Sequence, residues 1–320
     1  MIRYLNTVPH PWSREIIEHA ISDSFQDAKK SIEETAGGKL WRTVQDLDDS
    51  IRIFHESTTE LLDEICLFGD RSKNPTFWHR ANVNEVEIHT RVVKKKLFYC
   101  TSSLMALVDH ARRFYKATPV CGYTDQLKAA FSSPGLHDFL QGLRNYNTHW
   151  RIAQANWIIR HDFKSGVRVA QFTVTKPELL AWDGWSAKAK VFIDSAPDAI
   201  DIYGLFFEYR KHVQHFYAWH KGAVLEKYGQ DIQPYFEYKR LYEGIMKKCT
   251  WNLIIANAPK TVNPYQYLDQ YLTTLQIERL LAFKHRSDGQ VDALIQMLGM
   301  EEFCDEFLRE KVLALFRPLT

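Results

Sequence analysis

Apolar side chains recur every three or four positions along most of this chain, the spacing that gathers them on one face of a helix. Pro11 and Ser13 open a first helix that carries Ile16, Ile17, Ala20, Ile21 and Phe25 and should stop at Gly37-Gly38. A second runs from Leu40 to about Leu67 through Val44, Leu47, Ile51, Phe54, Leu61 and Ile65, with Gly69 as its end and Lys73-Asn-Pro-Thr as a loop. The third and longest, about Asn84 to Lys116, puts Val93, Leu97, Cys100, Leu104, Leu107, Ala111 and Phe114 on one stripe, and Pro119 closes it. A fourth carries Leu136, Phe139, Leu140, Leu143 and Trp150.

Beyond Trp150 the period changes. Trp157 to Phe163 and Val167 to Val174 are rich in β-branched and aromatic residues and flank Lys164-Ser165-Gly166, a hairpin signature. Thr175-Lys-Pro-Glu178 matches a capping box and should start a helix through Leu179, Leu180 and Trp182. Ser195-Ala-Pro-Asp198 opens a long helix with Ile202, Leu205, Phe206, Tyr209, Val213, Phe216 and Tyr217 inward; from about Asp231 further helices are punctuated by Pro234, Pro259, Pro264 and Gly289. The expected fold is therefore mainly α. A helical bundle over residues 1–230 includes one small β-hairpin at about 157–174, and residues 231–320 form a helical C-terminal extension.

At 320 residues, 45% hydrophobic and 25% charged, the chain can bury the core of one large or two modest domains. A formal net charge of +2 gives no global basic field, so any nucleic-acid contact has to come from a local patch. Cys66, Cys100, Cys121, Cys249 and Cys304 are odd in number, scattered and without a Cys-x-x-Cys pair, which argues against a disulfide framework or a zinc site and for a reducing, cytoplasmic setting. Several occupy apolar helix positions and read as core residues. The first residues hold no apolar run behind a basic start, and no stretch approaches eighteen uncharged apolar residues, so neither secretion nor a membrane span is expected.

One helix carries polar residues with chemical meaning. Off the apolar stripe of the 135–150 segment lie Arg144, Asn145 and His149. Asn145 and His149 are four apart and share a face, whereas Arg144 lies about 140° around the helix from His149 and needs its long side chain to converge with it. Cleaving RNA through its own 2′-hydroxyl requires a group that moves protons near neutral pH, a task for His149. It also requires fixed positive charge where the phosphorane gathers negative charge, a task for Arg144. Asn145 could fix the imidazole tautomer or touch the phosphate. This chemistry needs no metal and no cofactor.

Arg144-Asn145-Tyr-Asn-Thr-His149 resembles the signature of the HEPN superfamily, an arginine followed by a polar residue, often Asn, Asp or His, and a histidine a few positions on. The resemblance implies an all-helical, typically homodimeric protein whose paired motif helices build the site, and a metal-independent endoribonuclease with a toxin, defence or stress role and a cognate antitoxin. Its alternative, also found in that superfamily, is a non-catalytic helical bundle that binds RNA or a partner protein. Within the same chain Arg210-Lys-His-Val-Gln-His215 repeats the spacing but carries Lys after the arginine.

Basic residues on the long third helix, Lys94 and Lys95 near its start and Arg112 and Arg113 near its end, are the candidate RNA-backbone contacts, with a solvated helix face as the plainer reading. Glu208, His212 and His215 share one helix face, as metal ligands in helical bundles do, but the chain supplies no second Glu-x-x-His, and no metal is expected. The aromatics of the last ninety residues, among them Tyr235, Tyr238 and Tyr265, read as helix packing more readily than as base-stacking platforms.

Overall fold

The computed structural model describes residues 3–161, 168–259 and 262–316. In chain order the elements are α1 (Arg14–Glu33), α2 (Ala36–Ser72), α3 (Val83–Ala117), α4 (Tyr123–Ala130), α5 (Leu136–His149), β1 (Asn156–His161), β2 (Arg168–Thr175), α6 (Lys176–Leu180), α7 (Ala187–Ser195), β3 (Ala199–Asp201), α8 (Ile202–Asn257), α9 (Thr274–Leu281), α10 (Asp288–Met297) and α11 (Glu306–Phe316). The fold is mainly α with a small antiparallel sheet. None of the described helices is long and apolar enough to cross a membrane.

The chain divides into two compact units, one of residues 40–229 and one combining residues 1–39 with 230–320. The first helix thus groups with the C-terminal segment and not with the bundle that follows it in sequence. Its tether is aromatic: the Trp12 backbone N–H donates to the Tyr238 hydroxyl at 3.2 Å, and the His10 and Trp12 rings stack at 4.3 Å. Such a contact spans 226 residues and leaves no local pattern.

In the unit of residues 40–229, α2, α3, α5, α7 and the first half of α8 share one core with β2. On α3 the buried positions Val93, Leu97, Cys100, Leu104, Leu107, Ala111 and Phe114 follow the expected stripe. Phe54, Phe114, Phe139, Tyr146, Tyr209 and Phe216 are all but sealed from solvent; burying each side chain of this kind stabilises the fold by roughly 1.5–3 kcal/mol. The sheet has strand order β1-β2-β3, with Trp157 opposite Phe172 and Val174 opposite Ile200. Trp157 fastens it to the helices, its ring stacked 3.4 Å from Phe68 and its indole N–H donating to the Thr90 hydroxyl at 3.1 Å. The turn expected at Lys164-Ser165-Gly166 lies outside the described residues.

Several expected boundaries moved. Gly37 and Gly38 do not stop α1, which ends at Glu33; they form the first turn of α2, where the Thr35 hydroxyl caps the Gly38 N–H at 3.1 Å. Gly69 lies inside α2, which runs on to Ser72. Pro234 does not end a helix either, since α8 is continuous from Ile202 to Asn257. Thr175 precedes α6 without a side-chain cap, so the capping box is absent and the helix is only five residues long. Of the five thiols only Cys100 is buried, while Cys66, Cys121 and Cys249 are exposed and Cys304 is intermediate.

Candidate functional site

The motif lies on α5, and two glycines seat that helix. Gly135 starts it with φ +73°, a left-handed conformation that a side chain resists, and a Cβ there would come within 2.2 Å of the Lys188 carbonyl oxygen. At Gly142 a Cβ would meet the Trp185 ring at 2.6 Å. The helix can therefore lie flat on the 185–195 segment while its other side packs on α3. Leu136, Phe139, Leu140, Leu143, Tyr146 and Asn147 form its buried face.

Trp150 is not part of that face. The helix ends one residue earlier, and Trp150 is 54% exposed, as is Ile152 at 52%. The buried anchors at this end are Tyr146 and Asn147. Asn147 accepts from the Ala153 backbone N–H at 3.0 Å, and the Tyr146 hydroxyl accepts from Arg151 Nε at 2.8 Å and donates to Glu178 Oε1 at 3.3 Å. Glu178 also receives the Gln154 N–H at 2.5 Å. Burial raises the Tyr146 pKa, so the hydroxyl stays protonated and the network holds the exit of α5 in one path.

Arg144, Asn145 and His149 project from the remaining side. Arg144 and Asn145 are half-buried and joined, Nη1 donating to Asn145 Oδ1 at 3.0 Å; this turns the Asn145 amide nitrogen away from the guanidinium. His149 is exposed on the last turn. Among the described residues Arg144 has no carboxylate partner. Its spare donors and the imidazole are available to a ligand, and α5 offers them about 7.5 Å apart along its axis. The second copy of the spacing is differently used: Arg210 donates to Thr59 Oγ1 at 3.0 Å and lies over the Phe207 ring at 5.9 Å.

The basic candidates on α3 do not converge. Lys94 is half-buried, and Lys95, Arg112 and Arg113 are exposed. Arg112 leans on Asp109 at 3.4 Å and borders a cavity with His137 and Asp138, at the opposite end of α5 from His149. Twelve residues of helix separate His137 from His149, roughly 18 Å, and Lys94 lies about 27 Å along α3 from Arg112. The two basic runs therefore cannot both flank the motif. Glu208 is exposed and engaged by Lys211 at 2.9 Å.

A constellation around the buried His89 escapes sequence reading altogether. His89 Nδ1 lies 2.9 Å from Glu64 Oε1 and its Nε2 lies 2.8 Å from Arg71 Nη1, while Lys96 Nζ reaches Glu64 Oε2 at 3.0 Å. Arginine only donates, so Nε2 accepts and the imidazole proton sits on Nδ1, directed at Glu64. Burial pushes the Glu64 carboxyl up, and the hydrogen bonds from Lys96 and His89 outweigh it, holding the carboxyl below its usual range. Both ring nitrogens are thus occupied, which makes this a clasp between α2 and α3 and leaves no nitrogen to move a substrate proton. Its members come from sequence positions 25 and 32 residues apart, which no periodicity announces.

The chain matches no protein-family model, and no curated protein or solved structure matches it.

Proposed function

We propose that this protein is a HEPN-like, metal-independent endoribonuclease. The observation that carries the reading is that Arg144 is held by Asn145 rather than by a carboxylate and shares the end of α5 with an exposed His149. A cation neutralised by an acid would contribute little to a phosphorane; one held by a neutral amide keeps its charge for an incoming phosphate.

In the proposed reaction the 2′-hydroxyl of a ribose attacks the adjacent phosphorus, and its proton passes to His149. The phosphorus–O5′ bond breaks, leaving a 2′,3′-cyclic phosphate on one fragment, and the O5′ leaving group takes a proton from a second proton carrier to become a 5′-hydroxyl on the other. Arg144 donates to the non-bridging oxygens as charge builds on them, and no redox partner or metal enters the balance. Asn145 positions Arg144 through the hydrogen bond between them.

Trp150 and Ile152, exposed beside the motif, offer an apolar surface for a second copy of the chain, which would bring two motif helices together and supply the second proton carrier. A cognate antitoxin would then act by covering this end of α5, and the toxin, defence or stress role is the cellular setting in which such an activity needs that control. The reading is tested on a short RNA of mixed sequence in EDTA. The expected products carry 2′,3′-cyclic phosphate and 5′-hydroxyl ends, and a 2′-deoxy sugar at the cleaved position blocks cleavage there. Saturable binding of the same RNA with no cleavage would replace this reading by the non-catalytic one, in which the surface binds RNA or a partner protein.

A further inference from the structure

A second site lies at the other end of α5. A cavity of about 270 Å³ opens between α3, α4, the first turn of α5 and α8. Its floor is apolar, with Leu104, Leu107 and Val213, and the rings of Tyr123, Phe131 and Tyr209 wall it. Its volume lies just below the range usual for drug-sized ligands, which fits a molecule of one ring system.

One polar pair at this cavity is fixed by a hydrogen bond. Tyr209 is 1% exposed, and its hydroxyl lies 2.7 Å from His137 Nδ1. Burial raises the Tyr209 pKa well above its ordinary value, so the phenol keeps its proton, and among the described residues His137 is the one partner to which its buried hydroxyl can donate. His137 Nδ1 is therefore the acceptor, and the imidazole proton sits on Nε2. Burial also lowers the His137 pKa, against the raising effect of neighbouring Asp138 and with the lowering effect of Arg112, so the ring is neutral near pH 7. It presents one N–H donor of set orientation, for which the described residues supply no acceptor.

Charge at the cavity decides the class of ligand. Arg112 and Lys128 border it, both exposed, and Asp138 borders it as well. Among the described residues Arg112 is held only by an exposed contact with Asp109 at 3.4 Å, and Lys128 has no partner. Two cations against the Asp138 carboxylate, with Asp109 drawing on Arg112, leave at most one positive charge over, that of unpartnered Lys128, which suits a monoanion; a phosphate dianion would meet Asp138 with no second surplus cation.

We propose that this cavity binds a small aromatic monocarboxylate, its ring among Tyr123, Phe131 and Tyr209, and its carboxylate accepting from Lys128, Arg112 and His137 Nε2. This site is independent of the ribonuclease reading and would stand if that reading failed.

The test is titration calorimetry on the full chain with benzoate, phenylacetate and indole-3-acetate, each paired with its amide. At least one acid is expected to bind saturably with one molecule per chain, and its amide roughly tenfold or more weaker, the loss that goes with a charge-assisted hydrogen bond. Lys128→Gln and Arg112→Gln, both at exposed positions that leave the fold intact, should each weaken that acid by about the same factor. Val213→Phe should abolish binding by filling the floor, and wild-type circular dichroism would show that it still folds. Equal binding of acid and amide, binding unchanged in both charge variants, or no saturable binding by any of the three acids at millimolar concentration would overturn the assignment. Tighter binding of a nucleoside monophosphate than of every acid would overturn the carboxylate as ligand.

Discussion

His220 offers a measurement of how the core treats a polar ring. It is sealed from solvent within the core of residues 40–229, with Phe114 and Tyr123 edge-on at 4.8 Å and Phe216 at 5.9 Å. Neither ring nitrogen has a hydrogen-bond partner among the described residues. Burial alone pushes its pKa down to about 4 from an ordinary 6.5. The folded protein therefore holds His220 neutral, while the unfolded chain takes up a proton as pH falls below 6.5. Between these values the unfolded state binds more protons, so stability rises with pH; the full contribution is present above pH 6.5 and is lost as pH falls towards 4. The interval is worth about 3 kcal/mol. Above pH 7 the unpaired nitrogens still cost roughly 1–3 kcal/mol in desolvation. His220→Leu, close in volume, removes both penalties. Urea unfolding of wild type and variant from pH 8 to pH 4.5 should show the variant more stable at pH 8 by about 1–2 kcal/mol, after the loss of aromatic contacts is set against the gain. The gap should widen by at least about 2 kcal/mol at the acid end. His137 titrates in the same direction and cancels in the difference. A gap independent of pH, or a variant less stable throughout, would refute a neutral, unpartnered His220.

Gly142→Ala should cost about 1–3 kcal/mol by urea unfolding, because its methyl group would meet the Trp185 ring, while Gly69→Ala, where nothing lies within 4 Å, should be neutral or stabilising. Under native conditions a thiol reagent should label Cys66, Cys121 and Cys249 quickly and leave Cys100 untouched until urea is added. Burial pushes the Cys100 thiol up to about 12, so it lacks both access and thiolate; rapid native labelling of all five cysteines would contradict its placement.

The parts of this structure that could be read in the sequence are those set by local spacing. The stripe from Val93 to Phe114 on α3 and the run Leu136, Phe139, Leu140 and Leu143 on α5 are buried as their period requires. Trp150 satisfied that period too, but periodicity does not show where a helix ends, and the 146–153 hydrogen bonds end this one at His149. The strand β3 is three residues long, too short to carry an alternation, and it exists because Thr173, Val174 and Thr175 pair with it. Pro234 removes one backbone donor and crowds the carbonyl one turn back, a local cost that a 56-residue helix packed along much of its length tolerates. The candidate site was legible as residue types on one helix. Its context was not, since Glu178, which holds Tyr146, and Tyr209, which orients His137, lie 32 and 72 residues away in sequence.

In the proposed site Arg144 and His149 act together on RNA, and what tests this is the cleavage rate of one labelled RNA in EDTA by wild type, Arg144→Ala and His149→Ala prepared side by side. Both positions lie off the buried face of α5, so the variants should fold as the wild type does. Cleavage by the wild type is expected, with a loss of about 100-fold or more in each variant, the usual contribution of a general base or of one oxyanion donor. No cleavage by the wild type, or equal rates for all three proteins, would contradict it.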